Sequence, residues 1–250
     1  MSLGQTTKEV IRATLAKVGV YNAIRKFGGK SLAHPEHEAL EDRFSSIYKS
    51  GHWTLGKAEN PGSGCGSSLT VTGELRNELP NILQEIQVET LLDVGCGDFT
   101  WMKEVDLGGI NYIGADIVAS VVSDNNARYG NDQKKFILAN ATRDELPDAD
   151  VVLIREVLFH LCFNDVAKVL RNVLSKPRRY LLITSDDLSS FNADIRSGDW
   201  RLLNLRAAPF RFPQPEYRIN ESVIREGRHL GVWRAQQLGE VRLISSAHAG

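Results

Sequence analysis

The chain has 250 residues, 42% of them hydrophobic and 24% charged, with a formal net charge of -1; that length buries a full core, as one large domain or a domain with an extension. A balance so near zero excludes the whole-molecule basic footprint of a protein that grips phosphate backbones nonspecifically. Cys65, Cys96 and Cys162 lack CxxC spacing, which argues against a zinc knuckle or a disulfide framework, and no signal-type N-terminus or run of about 18 apolar residues is found, so a cytoplasmic protein without a membrane span is expected.

In chain order, Val10, Ile11, Thr14, Leu15 and Val18 recur at helical spacing, with Thr6 or Thr7 as a cap, and predict an accessory helical segment. "RFSSIYKSGHWTLG" mixes aromatics with glycines, and "ENPGSGCGSSLTVTGELR" is a Gly/Ser-rich run that enters a helical pattern at Gly73 to Gln84. The run reads either as a flexible linker or, because it stands directly before a helix, as a lid over a ligand. Residues 1–72 thus form an expected helical extension and lid, and 73–250 the main domain.

From Thr90 short apolar runs alternate with helical patterns. "TLLDVG" predicts a strand, "TWMKEVDL" a short helix, "NYIGADI" a strand, "VASVVSDNNARYG" a helix and "KKFILANA" a strand. "DADVVLIREVLFHL" predicts a strand running into a turn, "NDVAKVLRNVLSK" a helix capped by Asn164 and stopped before Pro177, and "RRYLLITS" a further strand. Continuous apolar strands are covered on both faces, and crossovers of this length give an α/β, Rossmann-like, doubly wound, mostly parallel sheet. Beyond Ser185 the pattern loosens, through an expected substrate-binding insertion at about 186–222, before "HLGVWRAQQL" offers a last strand.

Parallel sheets of this kind bind ligands beyond the carboxyl ends of their strands. "DVGCGDF" lies at such an end, where Gly95 and Gly97 permit backbone angles and a close approach that a side chain forbids, and where the helix expected next turns its amides outward. Asp116 ends the following strand about twenty residues on, where a carboxylate accepts bonds from both hydroxyls of a ribose. A dinucleotide fingerprint needs a third glycine at the position of Thr100, which weakens an NAD reading. Asp93 repels a pyrophosphate yet attracts an ammonium group. A nucleoside joined to an amino acid meets both conditions.

On these residues the sequence resembles the class I S-adenosylmethionine-dependent methyltransferases, "LLDVGCGDF" being similar to their first motif, over about Leu75 to Ser185. The resemblance implies S-adenosyl-L-methionine as cofactor, with Asp93, Gly95 and Gly97 around its methionine part, Asp116 at the ribose, Ile117 on one adenine face, Asn140 and Ala141 at the adenine edge, and Cys96 and Arg155 also among the cofactor-binding residues. Asn140 stands where many members carry an aspartate, and an amide both donates to and accepts from that edge. "FSSIYKSGHWTLG", "DVGCGDFTWM" and "REVLFHL" together look like a poorly characterised bacterial group of methyltransferase-domain proteins, some of whose relatives have polysaccharide or natural-product functions.

In that superfamily the segment after the fourth strand borders the methyl group, so Glu156 and His160 are the candidate catalytic bases, with histidine the better proton acceptor on its ordinary near-neutral pKa. Pairing of Glu156 with an arginine, and a histidine hydrogen-bonded at a helix junction, are the structural alternatives. Cys162 reads as a structural thiol. Asp186-Asp187 reads as a turn and "HPEH" is too weak for a metal site, so no metal is expected. Substrate choice falls to "DWRLLNLRAAPFRFPQPEYR", with Trp200, Arg201, Asn204, Arg206 and Phe210 as candidates. Residues 196–250 hold nine arginines, no lysine and five acidic residues, a local balance of +4, which points to an anionic acceptor; an aromatic cover with solvated arginines fits equally. The expected function is O-methylation of a small molecule or glycan, with nucleic acid disfavoured as partner. The alternatives are tRNA or rRNA methylation, a noncatalytic nucleotide-binding module and, last, an NAD-dependent oxidoreductase.

Overall fold

The computed structural model describes residues 38–54 and 60–239, so the helical pattern expected over residues 10–18 and the histidines at 34 and 37 lie outside the described residues. Helix α1 (Leu40–Lys49) comes first, then α2 (Gly73–Glu85), β1 (Thr90–Val94), β2 (Asn111–Asp116), α3 (Ala119–Tyr129) and β3 (Lys134–Leu138). β4 (Val151–Ile154), α4 (Phe163–Val173), β5 (Tyr180–Asp186), β6 (Tyr217–Asn220), β7 (Arg228–Arg234) and α5 (Ala235–Gly239) complete it. One seven-stranded sheet runs in the order β3-β2-β1-β4-β5-β7-β6. β1 to β5 are parallel, and β7 lies antiparallel between β5 and β6.

Both faces of the central strands are covered, as their unbroken apolar runs require. Successive residues point to opposite sides: Leu92, Val152, Ile154, Leu181 and Ile183 enter one core layer with Val166, Val169 and Leu170 of α4. Leu91, Val151, Leu153 and Leu182 enter the other with Leu75, Leu79 and Leu83 of α2. Full burial of each such side chain stabilises the fold by roughly 1.5–3 kcal/mol. Pro80 sits inside α2 without breaking it, because the apolar stripe on either side of it is held on the sheet.

Three local expectations are corrected. The segment 100–107 makes only a 3-10 turn at Met102–Glu104, because Phe99 takes a left-handed φ of 60° and Val105 is extended. Asn164 does not cap α4. The helix starts at Phe163, whose N–H donates to Asp194 Oδ1 at 2.7 Å, so the capping carboxylate comes from a loop distant in sequence. The last strand of the sequence reading ends at Arg234 and is preceded by an unforeseen partner, β6, inside the segment expected to be irregular.

Candidate functional site

The cleft opens where the strand order reverses, between the carboxyl ends of β1 and β4. Its floor is the turn after β1. Gly95 and Gly97 have φ of +76° and +59°, and a Cβ would stand 2.4 Å from Val157 Cγ2 at the first and 2.8 Å from Ser63 Cβ at the second. Side chains are therefore excluded by the protein's own loops as well as by backbone sign. The turn's amides are consumed internally: Gly95 and Cys96 N–H donate to Ala115 O at 2.7 and 3.2 Å, and Gly97 N–H donates to Asp116 Oδ2 at 3.0 Å. Among the described residues no α-helix starts here, which corrects the expectation of a helix start.

Two buried carboxyls flank this turn. Asp93 accepts the Tyr112 hydroxyl at 2.7 Å, yet burial outweighs that bond and raises its pKa to about 7. Asp116 also accepts Val118 N–H at 2.9 Å; its pKa too is raised by burial, against the bonds from backbone amides. Cys96 is buried between them, and desolvation, followed by the two aspartates, keeps its thiol protonated. Val94, Ile117, Val118 and Ala139 supply an apolar wall. Acids at two points with an apolar wall between them fit an adenosine bearing an ammonium group, and disfavour a phosphate chain.

Every residue assigned to the cofactor from sequence, Asp93, Gly95, Cys96, Gly97, Asp116, Ile117, Asn140, Ala141 and Arg155, lines this cleft. Asn140 has other work within the protein. Its Nδ2 donates to Glu41 Oε1 at 2.8 Å, and its Oδ1 accepts the N–H and hydroxyl of Thr142 at 3.0 and 2.7 Å, so its amide braces α1 against the loop after β3. Arg155 gives Nε to Glu221 Oε1 at 2.8 Å and Nη2 to Gly66 O at 2.8 Å, over the face of Trp101. Sequence reasoning missed Leu40, Phe44, Tyr48 and Trp53, which roof the cleft, and Ser63, Ser67 and Trp101 beside it. The signal was the aromatic string around α1. Tyr48 and Trp53 meet edge to face at 5.3 Å.

A second cavity shares Trp53, Ser63, Ser67, Glu156 and His160 with the first. Its other walls include His52, Cys65, Phe159, Trp200, Ile224 and Arg228. Glu156 follows β4 with a left-handed φ of 60° and is anchored by its N–H to Thr184 Oγ1 at 3.0 Å. Its carboxylate accepts Arg228 Nη1 at 3.0 and 3.3 Å, while Arg228 also binds Asp186 at 3.0 and 3.2 Å. Burial exceeds the pull of both arginines and raises Glu156 to about 7. His160 moves the opposite way: burial lowers it to about 4, helped by Arg228 and Arg201. Its Nδ1 lies 2.9 Å from Asp199 O and donates to it, leaving the lone pair on Nε2, and its ring packs on Trp53 at 5.0 Å. The near-neutral histidine expected from sequence is thus the weaker base of the pair.

Of the substrate candidates, only Trp200 lines this second cavity, with 38% of its surface exposed. Arg201 is buried, binds the carbonyl of Leu161 and lies over Phe163. Asn204 donates to Ser189 O at 2.7 Å, and Phe210 is fully buried against Phe163. Exposed Arg206 lines neither cavity. The segment is chiefly a core cover, and Asp187, paired with Arg218, and Asp186, held by Arg228, are spent on ion pairs.

Residues 92–176 match the family described as "Methyltransferase domain". No curated protein sequence matches the chain. Among solved structures, the Mitomycin 7-O-methyltransferase MmcR is similar at 18% identity with a TM-score of 0.53, covering 75% of this chain and 60% of that one, so the chain spans less than two thirds of that protein. Magnesium protoporphyrin IX methyltransferase from Synechocystis PCC 6803, with bound SAM, is similar at 13% identity and a TM-score of 0.53 over 80% of this chain and 99% of that one. The N-methyltransferase NodS from Bradyrhizobium japonicum WM9, in complex with S-adenosyl-l-homocysteine, is similar at 14% and 0.53 over 75% and 97%. At such identities the likeness is one of fold. The family match over residues 92–176, the strand order and the cleft at its reversal agree on a methyltransferase domain with a Rossmann-like fold.

Proposed function

We propose that the protein transfers a methyl group from S-adenosyl-L-methionine to a hydroxyl of an uncharged, ring-bearing small molecule or glycan unit. The observation that carries this reading is the pair of adjoining cavities, which have Trp53, Glu156 and His160 as common walls. Bound in the first, the cofactor supplies an electrophilic methyl group on a sulfonium. Asp93 pairs with the ammonium group and Asp116 with the ribose hydroxyls. Trp53, Phe159 and Trp200 offer faces on which a ring stacks and from which water is excluded. Glu156 accepts the acceptor's proton, its raised pKa making it the stronger base at neutral pH, and His160 accepts a hydrogen bond through Nε2 and orients the hydroxyl.

The anionic acceptor suggested by the arginine-rich composition is set aside. Arg228, the arginine of the second cavity's lining, is already balanced by Glu156 and Asp186, and Arg201 and Arg206 lie elsewhere. The 60–68 segment is read as a lid, since Ser63 and Ser67 line both spaces and Gly66 lines the second. Among the described residues no helix is long and apolar enough to cross a membrane.

Calorimetry with S-adenosylhomocysteine and labelled-methyl transfer into fractionated cell extract test the reading together. Saturable binding and a labelled neutral product are expected, with Glu156→Gln slowing transfer about 100-fold at unchanged cofactor affinity. Binding without any labelled product returns the noncatalytic module, and a labelled RNA returns the nucleic-acid reading.

A further inference from the structure

Arg155 is a charge removed from water, and such a charge is tolerated only when it is paired and its remaining protons are bonded. Its partners come from segments far apart in the chain. Glu221, the residue after β6, takes Nε at 2.8 Å and Nη2 at 2.5 Å on one oxygen, Oε1. Nη2 also reaches the Gly66 carbonyl at 2.8 Å, and Trp101 lies under the guanidinium with its ring centre 4.9 Å away. Glu221 is held by its own turn, with its N–H on Arg228 O at 3.0 Å and its carbonyl accepting from Ile224 and Arg225. It is buried and lines neither cavity. Its second oxygen, Oε2, is buried without a hydrogen-bond partner among the described residues. A buried acid that leaves one oxygen unused does not maximise stability, so its geometry calls for another explanation.

The other end of this chain of contacts provides one. At Gly66 an added Cβ would lie 2.7 Å from Glu156 Oε2, so the segment rests its bare α-carbon on the proposed base while its carbonyl hangs on Arg155. Upstream, Ser63 gives its N–H and hydroxyl to Asp98 at 3.2 and 2.8 Å. Between these two anchors the turn closes through Gly64 N–H to Pro61 O, Ser67 N–H to Gly64 O and Ser68 N–H to Cys65 O. Ser63 and Ser67 thereby reach both cavities.

We infer that Glu221 is a positioning residue: it fixes the Arg155 guanidinium so that the Gly66 carbonyl is captured and the 60–68 segment is seated between the two cavities. The assignment of those cavities to cofactor and acceptor rests on the proposed function; the seating itself does not.

Hydrogen exchange followed by mass spectrometry reads the seat without any ligand. Glu221→Gln is expected to speed exchange at Gly64, Ser67 and Ser68 about tenfold while β1 and β4 keep their protection. Unchanged exchange there, or equal acceleration throughout the molecule, overturns the inference. Calorimetry with S-adenosylhomocysteine reads the consequence: Glu221→Gln and Gly66→Ala each weaken binding about tenfold, and the double variant is expected to lose about tenfold as well, because both act on one seat. A hundredfold loss in the double variant means independent effects and overturns it. Should Glu221→Gln fail to fold, the charge-free pair Arg155→Met with Glu221→Met takes its place in both measurements. Absence of S-adenosylhomocysteine binding by the unsubstituted protein defeats the proposed function, and the exchange experiment still decides the seat.

Discussion

Asp93 stands under opposing demands, since its burial favours the protonated acid while the ligand proposed for the cleft requires the anion. The sign of the pH dependence follows. Below about 7, binding an ammonium partner first costs the removal of the proton; above it, the carboxylate is already present. Affinity for S-adenosylhomocysteine is therefore expected to rise with pH up to about 7 and then to level off, and Asp93→Asn is expected to abolish that slope in a calorimetric pH series. At this scale the sequence made the floor of the cleft legible, because Asp93, Gly95, Gly97 and Asp116 are bound to the ends of two recognisable strands. Tyr48 and Trp53 were not, since nothing local says that a helix before the Gly/Ser run folds back over β1. The basicity of His160 was misjudged for a related reason: burial by Trp53 and Phe159 is a property of the assembled site.

Among the elements, α4 shows how a helix borrows its start. Cys162 at its N-cap makes no side-chain bond to the first turn; instead Asp194 takes the Phe163 N–H, and Ser197 Oγ accepts Cys162 N–H at 2.9 Å while donating to Asp165 Oδ2 at 2.6 Å. Asp194→Ala is expected to cost about 1 kcal/mol of stability, seen as a lower urea midpoint at unchanged slope. Residues 191–201 thus pin the turn that carries His160, helped by Gly198 N–H on His160 O at 2.7 Å. That tie explains why a segment rich in aromatics and arginines invites a substrate-binding reading while most of its side chains serve the core. Strands β1, β2, β4 and β5 were legible as apolar runs. β6 was hidden, because four residues with one fully buried position give too short an alternation to register. The helix expected after Gly97 was lost to Phe99, whose left-handed backbone no hydropathy pattern reveals.

For the molecule as a whole, the described residues on the N-terminal side of the main domain belong to the same structure as the sheet. Phe44 and Ile47 of α1 enter one core layer, and Arg43 Nη1 donates to Ser197 O at 2.7 Å. A ligand bound in the cleft then touches α1, the 60–68 segment and four strand ends at once, and it stabilises all of them only in the folded state. S-adenosylhomocysteine at a hundred times its Kd is expected to add about 2.7 kcal/mol, readable as a rise in Tm, with NAD giving none.

β7 runs against its neighbours, and this has a consequence for where chemistry enters the sheet. In the parallel strands, the residues that leave a strand arrive at the cleft, as Asp93 and Asp116 do. In β7 the polarity is reversed, so Arg228, its opening residue, meets Asp186 at the close of β5 and reaches Glu156. A search for reactive groups that looks only downstream of strands would overlook this arginine. An antiparallel hairpin therefore gives the fold a doorway through which residues upstream of a strand, and the turn preceding it, can be recruited to a parallel sheet's working edge.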